Sequence, residues 1–234
     1  MTIEDINICG RISVCFVNIA PGVESFTTMR EAALPFHVIT GHQVHGCAVA
    51  IVDDPSLTRE DLEGFDALIT NLPVAIGVRT ADCIPVLLYD PVNRAVAAVH
   101  SGWRGTVGRI ALQTISLMGE KYGTRPADLK AVIGPGIGMD SFQVGAEVTS
   151  RFRDAGFPMD AIWRYDGCPV PGSMRGGDHI DLKAANRWLL TSCGLEPGNI
   201  QVSGICTYCD SRFYSARREG PSCGRNINAI KLTL

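Results

Sequence analysis

The sequence predicts an α+β (mixed α/β) fold in a single compact domain, with layered sheets covered by helices. Short apolar runs, often β-branched and bounded by turn residues, recur along the chain and are typical of strands. These runs outnumber the segments with helical periodicity, and the two kinds of segment do not alternate regularly. At 234 residues and 46% hydrophobic, the chain is long enough to bury a substantial core. We therefore expect one domain over residues 1–234.

Eight segments are predicted as strands because each is a short apolar run that ends at turn residues. In chain order they are residues 11–18, 47–52, 66–70, 74–80, 84–89, 95–100, 129–134 and 200–205. The spacing i, i+3, i+4 predicts an amphipathic helix over 107–118, and two further helices are expected at about 146–155 and 182–193. Glycine and proline cluster in residues 165–179, which predicts a loop, either on an ordinary surface or beside an active site.

Composition and charge limit the partners of the protein. Only 19% of the residues are charged and the net charge is -3, so no large electrostatic field attracts nucleic acid or an anionic membrane. No window approaches the ~20 uninterrupted apolar residues of a membrane span, and the first residues lack the pattern of a signal peptide. The nine cysteines are an odd number, which argues against a disulfide framework. These features favour a cytoplasmic protein with reduced thiols.

A cysteine and a histidine lie at the two ends of a predicted hairpin. Cys83 precedes the run IPVLLY, and His100 ends the run AVAAVH. If the two strands pair antiparallel across the turn DPVNR, the start of the first strand and the end of the second are neighbours. The glycine-containing turn after His100 leads into a helix, whose first amides favour an anion together with Arg104. The pattern predicts that Cys83 and His100 meet, either to hold a metal or to form a reacting pair.

The motif GHQVHG offers a third ligand, because it contains both His42 and His45. One cysteine and two histidines form an open zinc set whose fourth position is free for water or substrate, and copper accepts the same atoms. The residues also admit another interpretation, in which Cys83 is a core thiol and His100 a hydrogen-bonded residue at the end of a strand. Spacing along the chain does not decide between the two.

A series of motifs from about His42 to the C-terminus resembles the laccase-domain (YfiH-like) family. In chain order, the motifs are HQVHG, DALITNLPVAIGVRTADCIPVLLYD, AAVHSGWRGTVGRI, AVIGPGIG, FQVG, HIDLKAANRWLL, CTYCDSRFYSARR and GRN. Proteins of this family were first called multicopper polyphenol oxidases and are now described as purine nucleoside phosphorylases. On the basis of the motif TADC followed by HSGWRG, the chain is identified as a member of this family. The resemblance implies a YfiH-like fold, a single α/β unit of layered helices and sheets.

The resemblance also implies an activity and a site. His45, Cys83 and His100 are then the metal ligands and the catalytic residues, with zinc as the expected ion and copper in some members. The implied reaction is phosphorolysis of adenosine, inosine, guanosine or methylthioadenosine to free base and pentose 1-phosphate, together with adenosine deamination. The partners are small-molecule nucleosides and phosphate, bound by a monomer or a homodimer. The segment from Arg11 onward is shorter than in the family, so we assign Arg11 no role.

Three arginines are candidates for binding phosphate, since guanidinium forks and the amides at a helix end suit this anion. They are Arg79, Arg104 and Arg217, and each is also open to interpretation as a solvated or structural arginine. That interpretation is favoured for Arg217, whose neighbour is Arg218.

Several other polar residues of the motifs have two interpretations. Asp82, next to Cys83, either orients a ligand histidine or caps a turn. His179 and Asp181 are interpreted as structural. The motif CTYC gives Cys206 and Cys209 the spacing of half a zinc site or of a redox pair, although both thiols are equally open to interpretation as pocket lining or simple packing.

Functions of three further classes are compatible with the same residues. Cys83 is the nucleophile and His100 its base if the protein is a cysteine-type hydrolase, an activity that some relatives use in peptidoglycan-precursor editing. The second is a copper-dependent polyphenol oxidase, and the third is a non-enzymatic protein that binds a metal or a protein partner. Metal content separates the hydrolase from the phosphorylase, because a zinc-bound thiolate is not a free nucleophile.

Overall fold

The computed structural model describes residues 4–7, 13–16, 20–30, 34, 36–167 and 176–233, the first two segments by their backbone alone. The strands are β1 Glu4–Asn7, β2 Ser13–Phe16, β3 Val23–Thr28, β4 Val38–Thr40, β5 Val49–Ile51, β6 Ala67–Thr70, β7 Ala75–Thr80, β8 Ile84–Asp90, β9 Ala95–Ser101, β10 Lys130–Ile133, β11 Gln143–Val144, β12 Trp163–Asp166, β13 Gly177–Ile180, β14 Ile200–Val202 and β15 Asn226–Leu232. The helices are α1 Trp103–Val107, α2 Ile110–Tyr122, α3 Ala146–Asp154, α4 Met159–Ile162, α5 Leu182–Ser192 and α6 Ala216–Glu219.

The strands form two large sheets and one small one. The first sheet has the order β1-β2-β3-β15-β7-β4, the second β14-β10-β8-β9-β6-β5, and the third β11-β13-β12. Most neighbours are antiparallel, while β4 with β7, β5 with β6, and β10 with β14 are parallel. This mixture of pairings with separate helices confirms the predicted α+β class.

The second sheet is buried on both faces. Val86 and Leu88 of β8 pack in a core shared with α2, α3 and α5, whereas Leu87 and Tyr89 of the same strand pack in a core shared with the first sheet. Successive side chains of a strand point to opposite faces, so a strand covered on both sides is apolar at every position. This burial explains why β8 and β9 appear in the sequence as unbroken apolar runs.

Most predicted elements are found where periodicity places them, and three differ. The helix expected over 107–118 is two helices, because Arg109 between α1 and α2 has a left-handed φ of 61°. The loop expected over 165–179 begins in β12 and ends in β13, which pair with each other, and residues 168–175 lie outside the described chain. The strand expected over 11–18 is described only as β2, and Arg11 lies outside the described residues.

Within the described residues, the sequence patterns miss seven strands and two short helices. The missed elements are β1, β3, β4, β11, β12, β13 and β15, and the helices α4 and α6. Among them, β15 runs through the middle of the first sheet between β3 and β7. No helix in the described part of the chain is long and apolar enough to cross a membrane.

Candidate metal centre

The hairpin of β8 and β9 brings Cys83 and His100 together. The strands pair antiparallel as predicted, with Ile84 opposite Ser101 and Pro85 opposite His100. Cys83 immediately precedes β8, and His100 is the penultimate residue of β9. The thiol of Cys83 and the imidazole of His100 therefore lie at the same end of the hairpin, with their ligand atoms within 4.8 Å of each other.

His45 reaches this point from a loop that Asp66 holds in place. The carboxylate of Asp66 accepts hydrogen bonds from the backbone N–H groups of Val44, His45 and Gly46, at 3.1, 2.9 and 2.8 Å. His45 itself has a left-handed φ of 62°, which is uncommon for a residue with a side chain. The three hydrogen bonds to one buried carboxylate stabilise this strained conformation.

Gln43 fastens the same loop to β7. Its Nε2 donates to the carbonyl oxygen of Arg79 at 2.9 Å, and its Oε1 accepts from the backbone N–H of Arg79 at 2.8 Å. The amide side chain thus makes the two hydrogen bonds that a neighbouring strand would make. The first and second histidines of the loop are separated by this anchor, so only one of them turns toward the hairpin.

The three candidate ligands converge on a point that solvent reaches. The ligand atoms of His45, Cys83 and His100 all lie within 4.8 Å of one another, and the ring centroids of the two histidines are 4.8 Å apart. His45 is exposed, Cys83 half-buried and His100 buried. A Cβ placed on Gly102 would lie 3.0 Å from Sγ of Cys83 and 3.3 Å from Cδ2 of His45, so the missing side chain keeps space open beside the cluster.

Asp66 also orients His100. Its Oδ1 lies 2.7 Å from Nδ1 of His100, and its backbone carbonyl accepts the N–H of His100 at 2.8 Å. Because Nδ1 is engaged by the carboxylate, Nε2 is the ring nitrogen left for a ligand. A carboxylate behind a metal-binding histidine is the usual arrangement in zinc sites. One carboxylate, fully buried, therefore fixes both histidines of the cluster.

The histidines of the cluster favour the thiolate form of Cys83. Burial alone would raise the pKa of Cys83, but the nearby rings of His100 and His45 lower that pKa to about 6. Burial would likewise lower the pKa of His100, but the charges of Cys83 and Asp66 and the hydrogen bonds to them raise it to about 9. Burial would also raise the pKa of Asp66, whereas hydrogen bonds from His100 and from the amides of the loop hold it below its ordinary value. The thiolate form of Cys83, which binds metals, is thus favoured near neutral pH.

Two residues of the motifs do not contribute as the sequence suggests. His42 is exposed and its Nδ1 lies 2.9 Å from Oε2 of Glu63, so it is outside the cluster that contains His45. The carboxylate of Asp82 does not orient a ligand histidine. It accepts hydrogen bonds from residues of the C-terminal segment, namely Thr207 Oγ1 at 2.7 Å, Ser215 Oγ at 3.0 Å and Arg217 N at 2.7 Å.

Sequence reasoning missed Asp66, which orients the histidines of the cluster. It considered Asp82 for that role instead. The available signal was an acidic residue at the start of a strand that is otherwise apolar, DALIT. A buried carboxylate needs hydrogen-bond donors, and here the donors are mainly backbone amides of a loop about 20 residues earlier. Backbone donors leave no mark in a side-chain pattern.

The three candidate arginines have different surroundings. Arg79 on β7 is half-buried, and its pKa is lowered by burial and by the charges of Arg59 and Arg225. Arg104 is exposed, with its guanidinium 4.4 Å from the ring centroid of Trp103. Arg217 donates to the carbonyl oxygens of Ser141 and Gln143 at 3.2 and 3.0 Å and lies over the ring of Phe142. These contacts tie the side chain of Arg217 to the segment 141–143.

The remaining motif residues do not belong to the three-ligand cluster. Asp181 caps α5 by accepting the N–H of Ala184 at 2.9 Å, and the buried His179 bonds the carbonyl oxygen of Met139 through Nδ1 at 2.9 Å. Both contacts agree with the structural roles expected of these residues. Cys206 and Cys209 belong to a turn beside Ser141.

The layered α/β fold, with a histidine–cysteine–histidine cluster at one end of a central hairpin, defines the class of protein. The chain belongs to the family described as multi-copper polyphenol oxidoreductase laccase, which matches residues 23–233. This match confirms the laccase-domain resemblance seen in the motifs. The fold agrees, since the crystal structure of the Bacillus licheniformis hypothetical protein YfiH has a TM-score of 0.79 at 27% identity and covers 93% of this chain and 99% of its own.

Curated relatives carry the names of two enzymes. A purine nucleoside phosphorylase of Bacteroides thetaiotaomicron is 38% identical over 207 residues, which are 85% of this chain and 74% of that protein. Adenosine deaminase RL5, from an unknown prokaryotic organism, is 40% identical over 201 residues, which are 82% of this chain and 74% of that protein. Relatives of both names therefore align with most of this chain.

Proposed function

We propose that this protein is a zinc-dependent purine nucleoside phosphorylase that also deaminates adenosine. The observation that carries the proposal is the convergence of His45, Cys83 and His100 at a point that solvent reaches. Relatives named for both activities add the choice of substrate class, purine nucleosides with phosphate. The specific nucleosides expected from the family are adenosine, inosine, guanosine and methylthioadenosine.

The residues present fit a zinc ion. Two imidazoles and a thiolate are donors that zinc prefers, and three protein ligands leave one position for substrate or water. The space kept open by Gly102 and the carboxylate behind His100 are the other features such a site requires. When bound, the ion would polarise a substrate oxygen or lower the pKa of a water molecule to about 7. Copper accepts the same donors, so the metal content must be measured.

Phosphorolysis also requires a place for phosphate, and we assign it to Arg79 with Arg59 and Arg225. Arg79 pairs with Ile227 of β15, and Arg225 immediately precedes that strand. The charges of Arg59 and Arg225 lower the pKa of Arg79, so the three guanidinium groups lie near one another. Arg59 donates from Nε to the carbonyl oxygen of Gly41 at 3.4 Å, at the start of the loop that Gln43 fastens to Arg79. In the described part of the chain, the side chain of Arg79 has no carboxylate partner.

The chemistry of the reaction suits this arrangement. Phosphorolysis breaks the bond between the purine and the anomeric carbon while a phosphate oxygen bonds to that carbon. Guanidinium groups hold and orient the anion through paired N–H donors. Three neighbouring positive charges repel one another, and a phosphate dianion offsets that repulsion. Asp66 meanwhile keeps the Nδ1 proton of His100 in place, so the orientation of that ring does not change during the reaction.

One observation favours a second candidate function, a cysteine-type hydrolase. Cys83, His100 and Asp66 are connected as a nucleophile, a base and an orienting carboxylate are connected in such enzymes. In this mechanism the Cys83 thiolate attacks a carbonyl carbon and His100 donates a proton to the leaving group, which leaves a thioester on Cys83. Water that gives a proton to His100 then attacks the thioester, which releases the acid and the Cys83 thiolate. Bound zinc excludes it, because the same thiolate would be occupied.

The deciding experiment measures metal and activity on one preparation. Purified protein of known zinc and copper content is incubated with inosine and with adenosine, each with and without phosphate. We expect about one zinc per chain, phosphate-dependent release of base, and inosine formed from adenosine without phosphate. Cys83→Ala should lose zinc and both activities, whereas Cys193→Ala, a change of a half-buried thiol outside the cluster, should retain them. Metal-free wild-type protein with full phosphorolysis would contradict the zinc-dependent mechanism.

A further inference from the structure

Cys206 and Cys209 form a pair of thiols on one turn. The backbone N–H of Asp210 donates to the carbonyl oxygen of Cys206 at 2.9 Å, which closes the turn around both residues. This hydrogen bond joins residues four apart, as in a single turn of an α-helix, where side chains three residues apart are neighbours. The thiols of Cys206 and Cys209 are hydrogen-bonded to each other, so a disulfide can form between them with little movement. Cys209 is exposed and Cys206 is half-buried, so reagents reach the pair from solvent.

The surroundings of Cys206 stabilise a thiolate. The backbone N–H of Gly138 points at Sγ of Cys206 at 3.1 Å, and Oγ of Ser141 lies 3.6 Å from the same sulfur. Oγ of Ser141 also lies 3.4 Å from Sγ of Cys209, so one hydroxyl contacts both thiols. Burial would raise the pKa of Cys206, but the N–H of Gly138, the hydroxyl of Ser141 and the N–H and thiol of Cys209 lower it.

A buried ammonium group adds positive charge beside the turn. Nζ of Lys183 donates to the carbonyl oxygens of Ser203 and Ile205 at 2.9 and 2.6 Å, immediately before Cys206 in the chain. These two bonds hold the ammonium of a side chain that is only 8% exposed. Amide donors and a nearby cation are the features that distinguish reactive cysteines from inert buried ones.

Cys193 provides the contrast within the same molecule. It is half-buried like Cys206, but its thiol donates to the carbonyl oxygen of Leu190 at 3.1 Å. Burial raises the pKa of Cys193 and outweighs the backbone hydrogen bonds that lower it. Burial therefore does not explain the lowered pKa of Cys206. The hydrogen-bond donors around its sulfur explain it.

We propose that Cys206 and Cys209 form a thiol–disulfide exchange site that reacts with low-molecular-weight disulfides such as glutathione disulfide. The inference is independent of the nucleoside reaction, since neither thiol belongs to the three-ligand cluster of His45, Cys83 and His100. It concerns a modification site with its own chemistry, and its failure would leave the proposed function unaffected.

The exchange takes place in two steps. The thiolate of Cys206 attacks one sulfur of the small disulfide, a Cys206–glutathione bond forms, and the other glutathione leaves as a thiolate. The thiol of Cys209 then loses its proton to solvent and attacks Sγ of Cys206, which releases the second glutathione thiolate and forms the Cys206–Cys209 disulfide. Two electrons pass from the protein dithiol to the glutathione disulfide, which is reduced to two molecules of glutathione.

The test uses the whole 234-residue chain, loaded with metal. It is equilibrated with mixtures of glutathione and glutathione disulfide, quenched with N-ethylmaleimide, and mapped by peptide mass spectrometry. We expect the Cys206–Cys209 disulfide to appear as the disulfide fraction rises and to be reversed by added glutathione. Cys209→Ser should trap a mixed disulfide on Cys206, and Cys206→Ser should prevent the intramolecular bond. The matched control Cys193→Ser should leave the titration unchanged.

A rate measurement adds a readout that needs no disulfide. In Cys209→Ser, iodoacetamide should label Cys206 about tenfold faster than Cys193 near neutral pH, because more of Cys206 is thiolate. Ser141→Ala should reduce that advantage. Equal labelling of Cys206 and Cys193, with wild-type Cys206 and Cys209 still reduced in excess glutathione disulfide, would overturn the proposal. Wild-type mapping remains decisive if a serine variant fails to fold.

Discussion

Two buried carboxylates adjoin the candidate metal centre, and they hold different parts of the chain. Asp66 accepts hydrogen bonds from three successive amides of the loop that carries His45 and from the ring of His100. Asp82 accepts three hydrogen bonds from Thr207, Ser215 and Arg217, more than 120 residues away in the chain. Asp66 is 0% exposed and Asp82 is 8% exposed.

The two carboxylates therefore have different roles: Asp66 positions the candidate ligands, and Asp82 binds the C-terminal segment that packs beside them. Every donor to the Asp66 carboxylate belongs to a candidate ligand or to its immediate neighbour. The donors to Asp82 belong to the C-terminal segment, although Asp82 itself is next to Cys83 in the sequence. Adjacency along the chain is therefore a poor guide to which carboxylate orients a ligand, and hydrogen-bond partners are the better one.

Replacing Asp66 should have the largest effect. Asp66→Ala leaves three loop amides and the Nδ1 group of His100 without an acceptor, and we expect unfolding to require about 3–5 kcal/mol less free energy. Zinc affinity should fall about 10–100-fold, because both histidines lose their orientation. Urea unfolding measures the first effect and competition with a chromophoric chelator the second. Wild-type zinc affinity in this variant would refute the role of Asp66.

Asp82→Asn is the counterpart and should separate the two effects. Asp82 has a left-handed φ of 84°, a conformation that asparagine also adopts, so the backbone is not strained by the change. The amide nitrogen cannot accept a hydrogen bond, and we expect a loss of about 1–3 kcal/mol in the free energy of unfolding. Zinc affinity should stay within about threefold of wild type. A loss of zinc as large as that of Asp66→Ala would remove the distinction between the two carboxylates.

Gly102→Ala tests the ligand side of the comparison with little change in folding. The φ of -66° and ψ of 172° at Gly102 suit alanine, but the new Cβ lies 3.0 Å from Sγ of Cys83. We expect about tenfold weaker zinc binding at a stability cost of about 1 kcal/mol. Gly204→Ala is the control, because no atom lies within 4 Å of its added Cβ. Equal zinc affinities of the two variants would show that the space beside Cys83 is not needed.

The same contrast explains which features the sequence predicts. Periodicity and turn residues predict the hairpin of β8 and β9, and with it the meeting of Cys83 and His100, because these contacts are local in the chain. The strand β15 is missed because Asn226 and Asn228 reduce its apolar pattern. Asn228 is fully buried, and it accepts a hydrogen bond from Thr27 and donates one to Thr80, both distant in the sequence. Such partners, like those of Asp66, become visible only when the chain is folded.

Replacing Glu219 should have the smallest effect on stability. The pH dependence of that effect tests the ion pairs of the C-terminal segment. Glu219 is the last residue of α6, whose N-cap is Ser215. The carboxylate of Glu219 accepts hydrogen bonds from Arg30 at 2.6 Å and from Arg218 at 2.8 Å. The hydrogen bond from Arg30 is the largest of the influences that lower its pKa from 4.5 to about 2. Both arginines are partly exposed, so the two ion pairs with Glu219 contribute little to the free energy of unfolding.

A lowered pKa in the folded protein means that this contribution is present above the pKa of the unfolded chain and is lost as the pH falls toward the folded value. Glu219→Gln should therefore unfold at slightly lower urea concentration than wild type at about pH 6, and the difference should shrink below about pH 4.5 and vanish near about pH 2. Added salt should reduce the difference at about pH 6, because partly exposed charges are screened. A difference that persists unchanged to the acid end would mean that the glutamine acts through packing and not through the lost charge.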